Sequence, residues 1–235
     1  MARIFRDEDY RPRPNRKGSR PRTKNRPSHD SAALGLVTAV DRGRYRIVLA
    51  DDTGAFPEDG RAVTAVRASH LRRQAVVPGD IVKVVGDTSG DEGTLARLVE
   101  ITPRRTLLRR SADDTDPTER VIVANVDIMG IVTATVDPEP SYGLIDRALA
   151  AAIDAGITPL IVVTKTDLAP AEDIERRFSM ADVDIVSSGL REDGTLSDDA
   201  VAGRLADHIS VLVGHSGVGK STLTNALVPA ADRAT

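Results

Sequence analysis

Residues Ile209-Ser210-Val211-Leu212-Val213-Gly214-His215-Ser216-Gly217-Val218-Gly219-Lys220-Ser221-Thr222-Leu223-Thr224-Asn225-Ala226-Leu227 read as a short apolar strand, a glycine-rich turn and an opening helix. Gly214 and Gly219 stand with four residues between them and are followed by Lys220 and Ser221, the spacing of a phosphate-binding loop. Strand, loop and helix are the setting that loop requires. A polyphosphate needs many donors converging on it, and backbone N–H groups at a helix N-terminus provide them. Gly214, Gly217 and Gly219 let the backbone curl, so that His215, Ser216, Val218 and Thr222 also belong to the expected cradle. Lys220 is placed to reach the β- and γ-phosphates and Ser221 to hold Mg²⁺, which makes these two the candidate catalytic residues and Ser221 the candidate metal ligand. A glycine-rich turn that binds nothing has the same composition, so the base-reading part of the site has to be sought elsewhere.

Thr164-Lys165-Thr166-Asp167 follows the apolar run Leu160-Ile161-Val162-Val163 and resembles the Asn-Lys-x-Asp signature of GTPases with Thr in place of Asn. Asp167 can accept from both the N1–H and the amino group of guanine. Lys165 is expected to lay its stem along the base and its ammonium on the loop. Thr164 keeps a hydroxyl but loses the amide, which leaves the base contact weaker or rearranged. Val183-Asp184-Ile185-Val186-Ser187-Ser188-Gly189 then offers a strand ending in Ser187 and Ser188, resembling the backbone loop that cups guanine O6. An ordinary strand-end turn also fits Thr164–Asp167. If these residues do not face the base, an ATP-binding P-loop protein is the alternative.

In an ordinary GTPase the phosphate loop precedes the base-reading segments, whereas here Asp167 and Ser187 precede Lys220. That order resembles the circularly permuted GTPases. Val121-Ile122-Val123-Ala124-Asn125-Val126-Asp127, Ile145-Asp146-Arg147-Ala148-Leu149, Gly156-Ile157-Thr158-Pro159 and the loop itself narrow the resemblance to the ribosome small-subunit-dependent GTPase A family, from about Ala33 onward. The resemblance implies GTP and GDP as ligands and Mg²⁺-dependent GTP hydrolysis, slow alone and stimulated by the small subunit (30S). It also implies 16S rRNA as a partner, a monomeric cytoplasmic chain and a role in late assembly of that subunit. His215 falls where several GTPases keep a residue that positions or shields the attacking water; a solvent-facing loop residue is the other reading.

The periodicity after residue 121 fits a parallel α/β sheet. Strands are expected over Val126–Val136, Thr158–Val163, Val183–Ser187 and Ile209–Val213. Ser141 is expected to cap a helix that buries Leu144, Ile145, Ala148, Leu149, Ala152 and Ile153; further helices are expected over Pro170–Phe178 and after Ser197. This alternation places Asp167, Ser187 and Gly214 at strand C-terminal ends, where such sheets bind ligands.

Leu34–Val40, Arg44–Ala50, Val63–Ala68, Asp80–Gly86 and Thr94–Ile101 are five short β-type runs between turn signals. The pattern shows a small β domain over residues 33–102, and the resemblance makes it an RNA-binding OB-fold barrel. Arg67, His70, Arg72 and Arg73 cluster in one connection, either as rRNA phosphate contacts or as a solvated basic loop. With three Phe, three Tyr and no Trp, an aromatic stacking platform is poorly supported. Residues 103–120 read as a linker with a hinge, and 121–235 as the GTPase domain, so the expected fold is a β barrel followed by a permuted α/β P-loop domain.

The net charge of −3 conceals a strong asymmetry. Residues 1–28 hold ten Arg and Lys against three acidic residues, a surplus of seven, which leaves about −10 for the rest. With four prolines and few apolar residues, the arm over 1–32 is expected to be disordered and to bind the rRNA backbone, a solubilising tail being the alternative. No run approaches the ~20 apolar residues of a membrane span, and no membrane partner is expected. The chain has no Cys and its His residues, 29, 70, 208 and 215, are scattered, so no zinc ligand set is present in it. In the family a switch Thr, an Asp-x-x-Gly motif and a Cys/His zinc domain follow the point reached at Thr235. The resulting expectation is an incomplete GTPase domain that binds guanine nucleotide weakly and hydrolyses it poorly, or a non-hydrolysing rRNA-binding fragment.

Overall fold

The computed structural model describes residues 32–57, 59–72, 74–113 and 116–228. The expected basic arm lies outside the described residues except for Ala32, as does Arg73.

Five strands close the first layer: β1 (Ala33–Asp41), β2 (Arg44–Leu49), β3 (Ala62–Arg67), β4 (Ile81–Gly86) and β5 (Ala96–Ile101), in the order β1-β2-β3-β5-β4 with β4 returning to β1. All neighbours are antiparallel except β3 and β5. The sequence alternation is what permits closure: Tyr45, Ile47 and Leu49 point inward while Arg44 and Arg46 point out. Val37, Ile47, Val63, Val82, Val84 and Leu98 fill the interior. Register shifts at Val37/Ala39 and at Lys83/Val84 bend β1 and β4 around the barrel. This is the five-stranded OB-type barrel expected from the sequence.

The stretch expected as a linker is paired instead. Leu107–Asp113 (β6) and Asp116–Ala124 (β7) form an antiparallel hairpin, with Leu107 opposite Ala124 and Asp113 opposite Asp116. The polar composition of 111–119 reads as a loop, but alternate pairing along a hairpin asks little of side-chain polarity.

Nor is there a free joint where the hinge was expected. The turn Pro78-Gly79-Asp80 of the barrel is clasped from the other side. Asp80 is fully buried and accepts from Arg104 Nε at 2.7 Å and Nη2 at 2.9 Å, and from the Val77 N–H at 2.9 Å. Asn125, in a left-handed conformation at φ 56, donates its Nδ2 to the Gly79 oxygen at 2.8 Å and accepts from the Arg105 N–H. Ala124 N–H bonds Pro78 O, and a Cβ on Gly79 would lie 1.9 Å from the Ala124 oxygen. Only glycine lets the two backbones meet this closely.

The second layer is a four-stranded parallel sheet in the order β10-β9-β8-β11: β10 (Asp184–Ser187), β9 (Thr158–Thr164), β8 (Ile128–Ala134) and β11 (Ser210–Val213). Every residue of β8 is buried, as expected of a parallel strand covered on both faces. Helices α1 (Tyr142–Asp154) and α2 (Glu172–Phe178) cover one face through Ile145, Ala152, Ile174 and Phe178. Helices α3 (Asp199–Leu205) and α4 (Lys220–Leu227) cover the other through Val201 and Leu223. Two expectations change in detail. Ser141 holds the N-cap position of α1 without a side-chain cap bond, and Ile153 is 70% exposed because it lies about 100° beyond Ala152 around the helix.

Candidate functional site

The C-terminal end of β9, the segment after β10 and the start of α4 converge on a pocket of about 250 Å³. Thr164, Lys165, Asp167 and Leu168 line it from β9, Ser188, Gly189, Leu190 and Leu196 from beyond β10, and Gly219, Thr222 and Leu223 from the start of α4. Segments separated by more than fifty residues in sequence therefore share one cavity, at the place where open α/β sheets accept ligands.

On the strand side, Asp167 is held in place by the backbone. Its Oδ1 accepts from the Leu190 N–H at 2.9 Å. A Cβ on Gly189 would sit 2.7 Å from the Thr166 hydroxyl and 2.9 Å from Asp167 Oδ1, so glycine is what allows this approach. Ser188 is 1% exposed; its N–H donates to Val163 O at 2.7 Å and its oxygen accepts from the Thr166 N–H. With that N–H engaged in the sheet, the Ser188 hydroxyl is the polar group that this residue has left beside the pocket. The hydroxyl is buried and has no partner, an unsatisfied polar atom of the kind a bound group would complete. Ser187 is exposed and Thr166 stands behind the lining, so neither reaches the pocket wall.

Lys165 departs from its expected course. Its backbone is left-handed at φ 58, its carbonyl is held by the Thr135 hydroxyl at 2.8 Å, and its ammonium donates to the Asp137 carbonyl rather than to the phosphate loop. The β8–α1 connection is thus a support for the site that the sequence did not reveal.

On the loop side, Gly214 directly follows β11, where a Cβ would lie 2.2 Å from the Val132 oxygen. Gly219 is the N-cap of α4 at φ 88. Lys220 curls over the loop, donating to Gly214 O at 2.9 Å and His215 O at 2.6 Å. Val218 is buried against the sheet, whereas His215, Ser216 and Gly217 are exposed, and His215 Nδ1 lies 3.0 Å from Ser216 O. Gly214, His215, Ser216, Gly217, Val218, Lys220 and Ser221 form the loop beside the base pocket without lining it.

Sequence reading also missed Leu168, Leu190 and Leu196. Leu190 and Leu196 form a β-bridge across the turn Arg191–Thr195, which closes one wall of the pocket. The available signal was two isolated apolar residues flanking a Gly-containing turn directly after Ser187-Ser188. In that turn the Asp193 carboxyl is held below its ordinary range, first by the Thr195 hydroxyl and next by the Thr195 N–H. In the barrel, the expected basic cluster is partly occupied: Arg67 donates to Gln74 O at 2.6 Å and His70 Nε2 lies 2.8 Å from Val99 O. Arg44, Arg46, Arg61 and Arg97 are exposed and have no side-chain partner among the described residues.

A closed five-stranded barrel followed by a parallel sheet in which the Thr-Lys-x-Asp segment precedes the phosphate loop defines a circularly permuted P-loop GTPase fold. A sequence model of the RsgA GTPase family matches residues 101–235, and the chain belongs to that family. It is 36% identical over 226 residues to the small ribosomal subunit biogenesis GTPase RsgA of Paraburkholderia xenovorans, covering 93% of this chain and 65% of that relative. To the protein of the same name from Pseudomonas syringae pv. tomato it is 39% identical over 186 residues, 74% of this chain and 51% of that one. Among solved structures it is similar to YjeQ from Thermotoga maritima (TM-score 0.62, 25% identity, 84% of this chain and 66% of that one). It also shares the fold of YloQ, a circularly permuted GTPase (TM-score 0.60, 24% identity, 86% and 66%). The chain thus spans about two thirds or less of the length of these relatives. Among the described residues no helix is long and apolar enough to cross a membrane.

Proposed function

We propose that the pocket and its loop bind GTP and GDP with Mg²⁺, and that the chain acts in a GTP-hydrolysing assembly factor of the small ribosomal subunit in the cytoplasm. One observation carries this reading: Thr164, Lys165 and Asp167, Ser188 and Gly189, and Gly219 and Thr222 meet on one cavity at the C-terminal edge of the sheet. The names of the relatives support the ribosomal part.

In this reading Asp167, oriented by Leu190, accepts from guanine N1–H and the amino group, and the leucines of the pocket cover the ring. Lys220 spends two of its three protons on loop carbonyls and keeps one for a phosphate oxygen. The loop N–H groups and the α4 N-terminus supply the rest of the positive field. Ser221 is the residue to hold Mg²⁺, and the ion, when bound, offsets charge between the β- and γ-phosphates. On the barrel, Arg44, Arg46, Arg61 and Arg97 suit the 16S rRNA backbone, with the basic arm over 1–32 adding to the same electrostatic attraction.

The test compares GDP, ADP and XDP by calorimetry on the unaltered chain and on Asp167→Asn. GDP is expected to bind best, and the substitution to weaken GDP roughly a hundredfold while favouring XDP. Equal affinity for ADP and GDP, unmoved by the substitution, would make this an ATP-type P-loop instead. GTP turnover that purified small subunits fail to accelerate would remove the ribosomal part of the proposal.

A further inference from the structure

We propose that Thr135 is a positioning residue for the base: its hydroxyl fixes the turn over residues 165–168 against the sheet and thereby aims the Asp167 carboxylate. Thr135 stands directly after β8 and is half-buried. Its N–H donates to the Thr164 oxygen at 3.1 Å and its hydroxyl to the Lys165 oxygen at 2.8 Å. The regular pairing of β8 with β9 ends at Ala134 and Thr164. Thr135 carries the contact one residue further, with a side chain taking over where the backbone turns away.

The need for such a hold lies in the backbone of the turn. Lys165 is left-handed at φ 58, a conformation that is unfavourable for a residue with a side chain and persists only where the surroundings impose it. The Leu168 N–H donates to the Lys165 oxygen at 2.9 Å and the Ala169 N–H at 3.3 Å. Those bonds lie within the turn, so they set its shape and not its direction relative to the sheet. Direction is set from two sides. From beyond β10, the Ser188 oxygen accepts from the Thr166 N–H at 3.3 Å and the Leu190 N–H donates to Asp167 Oδ1 at 2.9 Å. From beyond β8, Thr135 holds the Lys165 oxygen and the Asp137 carbonyl accepts from the Lys165 ammonium. The ammonium ends a flexible four-carbon stem, whereas the Thr135 hydroxyl grips the backbone itself, two residues before Asp167. With Oδ1 engaged by Leu190, Asp167 Oδ2 has no hydrogen-bond partner among the described residues, and where it points depends on both anchors. Thr135 does not line the pocket, so it acts on a base only through this turn. Without the hydroxyl the Lys165 oxygen keeps its two local donors, and what is lost is the aim of Asp167 and not the turn.

This assignment rests on the proposed reading in that Asp167 faces the base; it does not need the base to be guanine. Inorganic pyrophosphate, GDP and ADP are titrated calorimetrically into the unaltered chain, Thr135→Val, Thr135→Ser, Asp167→Ala and the double variant Thr135→Val with Asp167→Ala. Thr135→Val, which keeps the shape, is expected to weaken GDP about fivefold, to lower the GDP-to-ADP ratio and to leave pyrophosphate within about twofold. Thr135→Ser, which keeps the hydroxyl, is expected to stay within about twofold of the unaltered chain for every ligand. Once Asp167 is Ala, adding Thr135→Val is expected to change GDP affinity by less than about twofold, because the two residues act as one unit. Unchanged GDP affinity in Thr135→Val overturns the proposal, as does an equal loss of pyrophosphate and GDP, which a general loosening of the fold would produce. Full additivity with Asp167→Ala overturns it too. Should Thr135→Val fail to fold, Thr135→Ala takes its place in the same series, and failure of both shows that the hydroxyl holds the fold and not the turn. An unaltered chain that prefers ADP defeats the guanine reading, while a loss on Thr135→Val confined to ADP, with pyrophosphate unmoved, still upholds Thr135. A chain that binds neither nucleotide better than pyrophosphate defeats both.

Discussion

At the barrel–sheet clasp the Asp80 carboxylate, with no exposure at all, has three donors within 2.9 Å, whereas at the base pocket the equally buried Ser188 hydroxyl has none. Both places bury polar groups, and leaving such groups unpaired is costly in each, more so for the charged carboxylate than for the neutral hydroxyl. The clasp satisfies its own groups, so it needs no ligand and works as a fixed joint. The pocket leaves the Ser188 hydroxyl unmatched beside an apolar wall, which is the unfinished pattern of a binding site. Between these two places it is the completeness of hydrogen bonding, and not burial, that differs; the Ser210 hydroxyl on β11 is likewise buried and unpartnered away from the base pocket.

The most disruptive way to test that contrast is to unpair the clasp. Arg104→Met leaves Asp80 buried with only the Val77 N–H, and removal of one partner of a buried pair should cost about 3 kcal/mol in urea unfolding. GDP affinity of the folded protein should stay within a few fold, because none of these residues touches the pocket. Adding Asp80→Leu should restore part of the loss, since no orphan charge then remains. A strong fall in GDP affinity with intact folding would show that joint and site are one unit.

Most of the contrast was hidden in the sequence, and the reason is physical. The strand alternation of β2, the apolar runs of β8 and β9 and the glycine spacing of 214–219 are local patterns, and each marks its own element; the expected placing of Asp167, Ser187 and Gly214 at one sheet edge holds for the strand ends, while of these three only Asp167 lines the pocket. The clasp depends on Asp80, Arg104 and Asn125 meeting from three separate segments, and polar residues in a Pro- and Arg-rich stretch read equally well as a flexible connection. For the same reason Lys165 was assigned to the loop: its true partner, the Asp137 carbonyl, is a backbone atom that no residue type announces. Ser187 was ranked with Ser188 because only the pleat decides which of two adjacent serines faces inward.

A gentler probe is Ser188→Ala, whose effect should change sign with the ligand. In the ligand-free chain the substitution removes an unsatisfied hydroxyl and should leave stability unchanged or raise it by about 1 kcal/mol. With GDP saturating, the added thermal stabilisation should shrink, reflecting a several-fold weaker complex. If the ligand-free protein loses stability instead, the hydroxyl already has a partner in solution, a bound water being the simplest, and the contrast with the clasp weakens.

The smallest effect belongs to the turn that carries Leu190 and Leu196. Asp193 accepts from the Thr195 N–H at 2.9 Å and from its hydroxyl at 2.6 Å, which lowers its carboxyl below the ordinary 3.8. A carboxyl lowered by folding contributes its full stability above the unfolded value and loses it as pH falls through the folded one. Protection of the Thr195 amide from hydrogen exchange should therefore hold near neutrality and fade only below about pH 4. Asp193→Ala should remove that pH dependence while leaving the global unfolding midpoint essentially unchanged, because the turn is solvent-exposed. It should also leave GDP affinity nearly intact, since the Leu190–Leu196 bridge, and not the carboxylate, supplies the wall. A large loss of affinity on Asp193→Ala would mean that this wall has to be held shut for the base to bind, and that the pocket's polar completeness depends on an exposed turn as well as on Ser188.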